Sequence, residues 1–250
     1  MNRLLAAVLA CAAWAQAQDA RAIIEESQRR ARSGSQRYEG TLEVIDARRN
    51  VSTKRWIYER LGSAGNSKAV LRFTAPPEVK GVALLIHNHP DRASDQWMWT
   101  PAVQRERRIA FQDRKTRFFG TDFTFEDLEE RDVDRSTYRM LGEEPIAGEP
   151  CWKIESTPKP EARSQYTKLY IWIRKADYVA AQIDCFGRDK VVRRIRYSDI
   201  QNVQKIWTAR RIEVEDLTRN SRTVLKLEKL EYDVSLPAEL FTLQALRRER

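Results

Sequence analysis

From Arg37 to Tyr232 the chain alternates apolar and polar residues with a period of two, run after run, and that pattern dictates half-buried antiparallel strands. In the first run Tyr38, Gly40, Leu42 and Val44 fall on one face and Glu39, Thr41, Glu43 and Ile45 on the other. The second alternates around Trp56 and Tyr58, and after a turn at 62–66 Ala69, Leu71 and Phe73 share a face. Val82–His87 is almost continuously apolar, 96–100 brings Trp97 and Trp99 to one face, and 103–110 is polar and rich in arginine. Further strands are expected over 138–141, 151–157, 165–174, 178–186, 190–197, 209–217 and 223–232. Within 165–174, Thr167, Leu169, Ile171 and Ile173 share one face and Tyr166, Tyr170 and Trp172 the other, so each face is either covered or lines a hollow that holds a ligand. The expected fold is mainly β (α+β): roughly ten or eleven strands in one strongly curved antiparallel sheet, an incomplete barrel with helices over its open side.

Two segments break the rhythm. Residues 19–32 place Ile23, Ile24 and Ser27 on one side of a helix that Gly34 ends. Residues 113–132 carry Phe118-Phe119-Gly120 and then Thr121 to Leu128, where Thr121 or Asp122 caps a short helix with Phe125 and Leu128 on one side. This aromatic insertion is the expected lid, with Gly120 as hinge and Phe123, Phe125 and Leu128 as its apolar face.

Residues 1–17 have the form of a cleavable signal peptide: Arg3, an apolar stretch from Leu4 to Trp14 and the small-residue site Ala15-Gln16-Ala17. A lipid anchor at Cys11 is the alternative reading of the same stretch. The rest, 18–250, reads as a single domain. Export reinterprets the formal charge of +9, because outside the cytoplasm nucleic acid is not the expected partner of a basic protein. The arginines are also interspersed with acids, as in Arg105-Glu106-Arg107-Arg108, a pattern of solvated strand faces. Cys151 and Cys185 fall at opposite ends of a three-strand meander and read as two separate buried thiols.

The chain has two histidines, His87 and His89, with Asp91 nearby. H-x-H is half of a metal site whose third ligand would have to be Asp91 or a distant carboxylate, and a solvated loop edge is the better reading. Asp122, Glu126 and Asp127 are acidic neighbours that could suggest paired carboxylates, but capping and dipole complementation at a helix start explain Asp122 without acid–base chemistry. With no nucleophile elbow, phosphate loop or dinucleotide fingerprint, the sequence reads as a non-enzyme without cofactor or metal.

Six segments, in order, resemble the LolA-like outer membrane lipoprotein-sorting proteins. They are Phe73 to Val82 (FTAPPEVKGV), Asp95 to Ala102 (DQWMWTPA), Arg105 to Ile109 (RERRI), Phe119 to Leu128 (FGTDFTFEDL), Gly148 to Glu155 (GEPCWKIE) and Tyr166 to Ile173 (YTKLYIWI). The resemblance implies a bent, incomplete β-barrel closed by helices, periplasmic location, and an apolar cavity that carries lipid or lipoprotein acyl chains. Trp97, Trp99, Leu169, Ile171 and Ile173 are the expected wall of that cavity. The alternative is a binding or sensory module that partners an inner-membrane transporter of the resistance-nodulation-division type, without cargo transfer, and works through Arg105, Arg107 and Arg108. A periplasmic hydrolase using His87, His89 and Asp122 is the third reading.

Overall fold

The computed structural model describes residues 20–63 and 65–248; residues 1–17, expected to be a signal peptide, and Cys11 within them lie outside the described residues. A helix, α1, spans residues 20–30. Thirteen strands follow: β1 (Ser35–Ile45), β2 (Val51–Ser63), β3 (Asn66–Ala75), β4 (Ala83–Asn88), β5 (Asp95–Thr100), β6 (Arg105–Arg108), β7 (Ser136–Glu143), β8 (Cys151–Pro158), β9 (Lys168–Arg174), β10 (Ala180–Gly187), β11 (Lys190–Val203), β12 (Ile206–Asp216) and β13 (Ser221–Tyr232). A one-turn helix, α2 (Leu243–Leu246), comes last.

All thirteen belong to one antiparallel sheet, in the order β6-β5-β4-β3-β2-β1-β13-β12-β11-β10-β9-β8-β7. At about 4.8 Å between strands a flat sheet of this size would be nearly 60 Å wide, and bending it is the way one layer buries a full apolar face. Bulges at Tyr38, between Arg55 and Trp56, and between Cys185 and Phe186 add local twist. β6 and β7 form the two edges and do not pair with each other, so the barrel stays open.

The topology explains the irregular middle of the chain. The first six strands meander to one edge and the last seven begin at the other. Residues 109–135 therefore have to cross the whole sheet, and they do so over its concave face, where Phe118, Phe123 and Phe125 enter the main core. α1 reaches the same core through Ala20 and Ile24.

The concave core holds Leu42, Trp56, Leu71, Leu84, Ile154 and Val214, each nearly or wholly buried. Gly40 lies opposite Trp56 in the β1–β2 register, and a Cβ there would sit 2.2 Å from the indole nitrogen. Glycine is required because the indole covers the backbone. On the convex face, Val70, Ala83 and Leu85 pack against Leu240, Phe241 and Leu246 of the C-terminal segment. Cys151, Trp172 and Ala181 form a third, smaller convex cluster, while Cys185 lies in the concave core; both thiols are free and buried.

Strand length departs from expectation in one hairpin. β11 and β12 run on to Val203 and from Ile206, joined by Gln204 and Lys205 at φ 47° and 71°. Both central residues are left-handed although neither is glycine or asparagine, so the turn carries none of its usual markers.

Candidate functional site

Between the concave face and the segment that crosses it lies a cavity of about 470 Å³. Its walls include Tyr38, Leu71, Ile183, Ile195, Leu225 and Leu227. A second cavity of about 220 Å³ adjoins it, with Leu169, Ile171 and Ile173 in its wall. Asp127, Glu129, Arg131, Ala180 and Ile183 border both. Burial pushes the Cys185 thiol and the Tyr58 and Tyr138 phenols up to about 12, so these groups are uncharged at neutral pH. A wider depression of about 680 Å³, between α1 and the β7 edge, is a surface groove that includes the exposed Ala22 and Glu143.

Of the expected wall, Leu169, Ile171 and Ile173 do come together on the concave face. Trp97 and Trp99 are corrected: they lie on the convex face. Trp97 pairs with Leu85 and Trp99 with Ala83, and both pack on the C-terminal cluster, while Met98 points into the concave core. The inward residues of β5 are the alternate set, because a shift of one position exchanges the faces of a strand. Tyr166 is corrected too: it precedes β9 and joins the concave core, away from Tyr170 and Trp172.

The aromatic insertion is not a capped helix. Phe119 and Gly120, at φ 45° and 75°, make a tight turn closed by Thr121 N donating to Phe118 O at 2.9 Å, and Arg117 bridges to Thr124. The helical part is a single 3₁₀ turn, Glu126–Leu128. Phe118 stacks on Phe73 at 5.4 Å and meets Phe125 edge-on at 5.8 Å. The first half of the insertion is therefore an anchor in the core, whereas Leu128, Glu129 and Arg131 stretch across the hollow; Phe123 and Leu128 border the larger cavity.

Asp122 is no cap. It is fully buried, paired with Arg117 at 2.8 Å, and accepts from Ser221 Oγ at 2.6 Å and Thr223 Oγ1 at 2.8 Å on β13. Glu126 and Asp127 are fastened elsewhere: Gln165 N donates to Glu126 at 3.0 Å, and Asp127 accepts from Tyr166 OH at 2.8 Å and pairs with Arg193 of β11 at 3.0 Å. Glu129 pairs with Arg114 at 2.5 Å and accepts from Gln96 Nε2 of β5 at 2.6 Å; burial still holds its carboxyl above the usual range. The crossing segment is thus latched to β5, β11 and β13 by charged and polar contacts. No spacing in the sequence announces these latches, since Asp122 and Thr223 are 101 residues apart.

The histidines face different partners. His87 Nε2–H donates to Phe241 O at 2.9 Å, and His89 contacts Asp95 at 3.0 Å. Among the described residues no group of three His, Cys, Asp or Glu is placed to hold a metal. Along edge strand β6, Arg108 pairs with Asp95 and Arg107 with Asp113.

Residues 65–248 match the model of a family described only as "Uncharacterized protein". The chain belongs to that family. No curated protein matches the sequence. Among solved structures it is similar to a Vibrio parahaemolyticus domain assigned to outer membrane lipoprotein sorting, with 24% identity and a TM-score of 0.87 over 93% of this chain and 100% of that one. It is similar to a DUF1329 family protein of Desulfovibrio piger (24% identity, TM-score 0.89, 92% of this chain and 99% of that one). A LolA superfamily protein of Nitrosomonas europaea matches with 19% identity and a TM-score of 0.71, over 90% and 98% of the two chains. The fold of this family member is LolA-like: a curved, unclosed antiparallel sheet with its concave face crossed by the chain.

Proposed function

We propose that this protein is a periplasmic carrier that holds the acyl chain of a lipid or lipoprotein in its concave hollow. The observation that carries the reading is the room between sheet and cover, about 470 Å³ beside a further 220 Å³. Pockets of roughly 300–1,000 Å³ are the size that encloses small ligands. A methylene moved from water to such walls gains about 0.8 kcal/mol, so a sixteen-carbon chain has on the order of 10 kcal/mol to gain. Leu169, Ile171 and Ile173 form the far wall. The working cover is residues 126–131 with α1, and Gly120, Phe123 and Phe125 belong to the anchor that positions it. The latching ion pairs, Asp127–Arg193 and Glu129–Arg114, are buried, and a cover that lifts rehydrates both partners of each pair together, which returns the desolvation cost of burying them. The likeness to a domain assigned to lipoprotein sorting supports the same reading.

Titration with cis-parinaric acid, a fluorescent acyl chain, tests it. Saturable binding of about one probe per chain, displaced by palmitoyl lipids, is the expected result. Ala180→Trp, which puts an indole where the two cavities meet, abolishes that binding. A folded wild-type protein that takes up no probe would end the carrier reading.

A further inference from the structure

Arg131 is an exposed cation where the two cavities meet, and it borders both of them. The groups that act on its guanidinium are Cys185, Tyr197, Asp127 and Tyr166, all turned to the concave side. Among the described residues none forms a hydrogen bond or close ion pair with its side chain; the one bond to this residue is Gln28 Nε2 donating to its backbone carbonyl. The carboxylates around it are already engaged. Asp127 is held by Arg193 and Tyr166, Glu129 by Arg114 and Gln96, Glu126 by Ser164 and Gln165, Glu130 by Arg60 and the Gly65 N–H, and Asp132 accepts from the Asp134 N–H. Neutral phenols and a neutral thiol complete the surroundings. A guanidinium presents a planar fork of donors that fits carboxylate and phosphate oxygens, and it stays charged at any physiological pH. With no hydrogen-bond partner for its side chain, the guanidinium is free to meet a guest that brings a negative charge.

We propose that the hollow selects amphiphiles with an anionic head group, a carboxylate or a phosphate, bound by Arg131 at the junction of the two cavities while the acyl chain lies along the apolar wall. This proposal rests on the carrier reading and assigns the class of its cargo.

Isothermal titration with dodecanoate, dodecyl phosphate and dodecanol tests it. All three carry the same chain, and two carry a charge. The wild type is expected to bind at least one anion tenfold or more tighter than the alcohol, and whichever anion it is identifies the head group. Arg131→Gln brings the anions to within about threefold of the alcohol measured on the same variant; Arg131→Lys keeps part of the preference. If Arg131→Gln does not fold, Arg131→Met, which retains the apolar stem, takes its place. Equal binding of all three to the wild type, or a preference that survives the loss of the guanidinium, overturns the head-group proposal alone. Failure of all three to bind the folded wild type overturns the carrier reading beneath it.

Discussion

The sheet has two covers, and they are built differently. On the convex face the C-terminal segment sets Leu240, Phe241 and Leu246 against Val70, Ala83 and Leu85, and leaves beside them only a small cavity of about 160 Å³. On the concave face residues 126–131 are fastened by Asp127–Arg193 and Glu129–Arg114 and leave a hollow beneath. A cover over a solid core is held by packing, which is lost if it lifts. A cover over a hollow has less to pack against and is held by buried ion pairs. On the carrier proposal, the difference marks which side of the sheet would handle a guest.

The largest expected effect concerns the anchor of the concave cover. Asp122→Ala strands Arg117 and two hydroxyls around a fully buried position and is expected to cost about 3–5 kcal/mol in urea unfolding. A cost below about 1 kcal/mol would mean that this network does not hold the crossing segment.

The same kind of insertion should act oppositely on the two faces. Ala83→Leu on the convex face overpacks a wholly buried site and is expected to cost about 1–3 kcal/mol while probe binding persists. Ala180→Trp on the concave face enters existing space, so stability should move by less than about 1 kcal/mol while binding is lost. Equal destabilisation by both would place solid packing on both sides.

The smallest effect is a pH dependence of the convex cover. Burial holds the His87 imidazole below its ordinary range, opposed by the Phe241 carbonyl that accepts its proton; Lys68, His89 and Asp95 are the other charges facing it. The unfolded chain thus protonates first as pH falls. The contribution is complete above about pH 6.5 and is lost below it, by no more than about 1 kcal/mol. Melting temperatures at pH 7 and pH 5 should converge more closely in His87→Gln, which keeps a donor to Phe241, than in the wild type. Trp97, 5.2 Å from the imidazole, reports the change by fluorescence.

Much of the architecture was legible because period-two alternation is a local property. Tyr38 and Leu42, Leu71 and Phe73, and Leu169 to Ile173 fall on the face their spacing indicates. Which face is concave was not legible: Trp97 and Trp99 alternate as clearly as Leu169 and Ile171, yet they support the convex cover. Alternation reports that a face is buried and is silent on what buries it. The 3₁₀ turn at Glu126–Leu128 was misread as a capped helix because Asp122 has the chemistry of a cap, and its true partners on β13 are far away in sequence. The place of Arg131 was invisible for the same reason, since nothing in an acidic run shows that the fold sets one arginine beside two cavities.

The most direct test of the central claim is a lipid assay of the full chain purified from its native envelope without added detergent. Mass spectrometry of the organic extract should find close to one lipid per wild-type chain and almost none in Ala180→Trp. A folded wild type that yields a clean extract, or equal lipid in both proteins, would contradict the account.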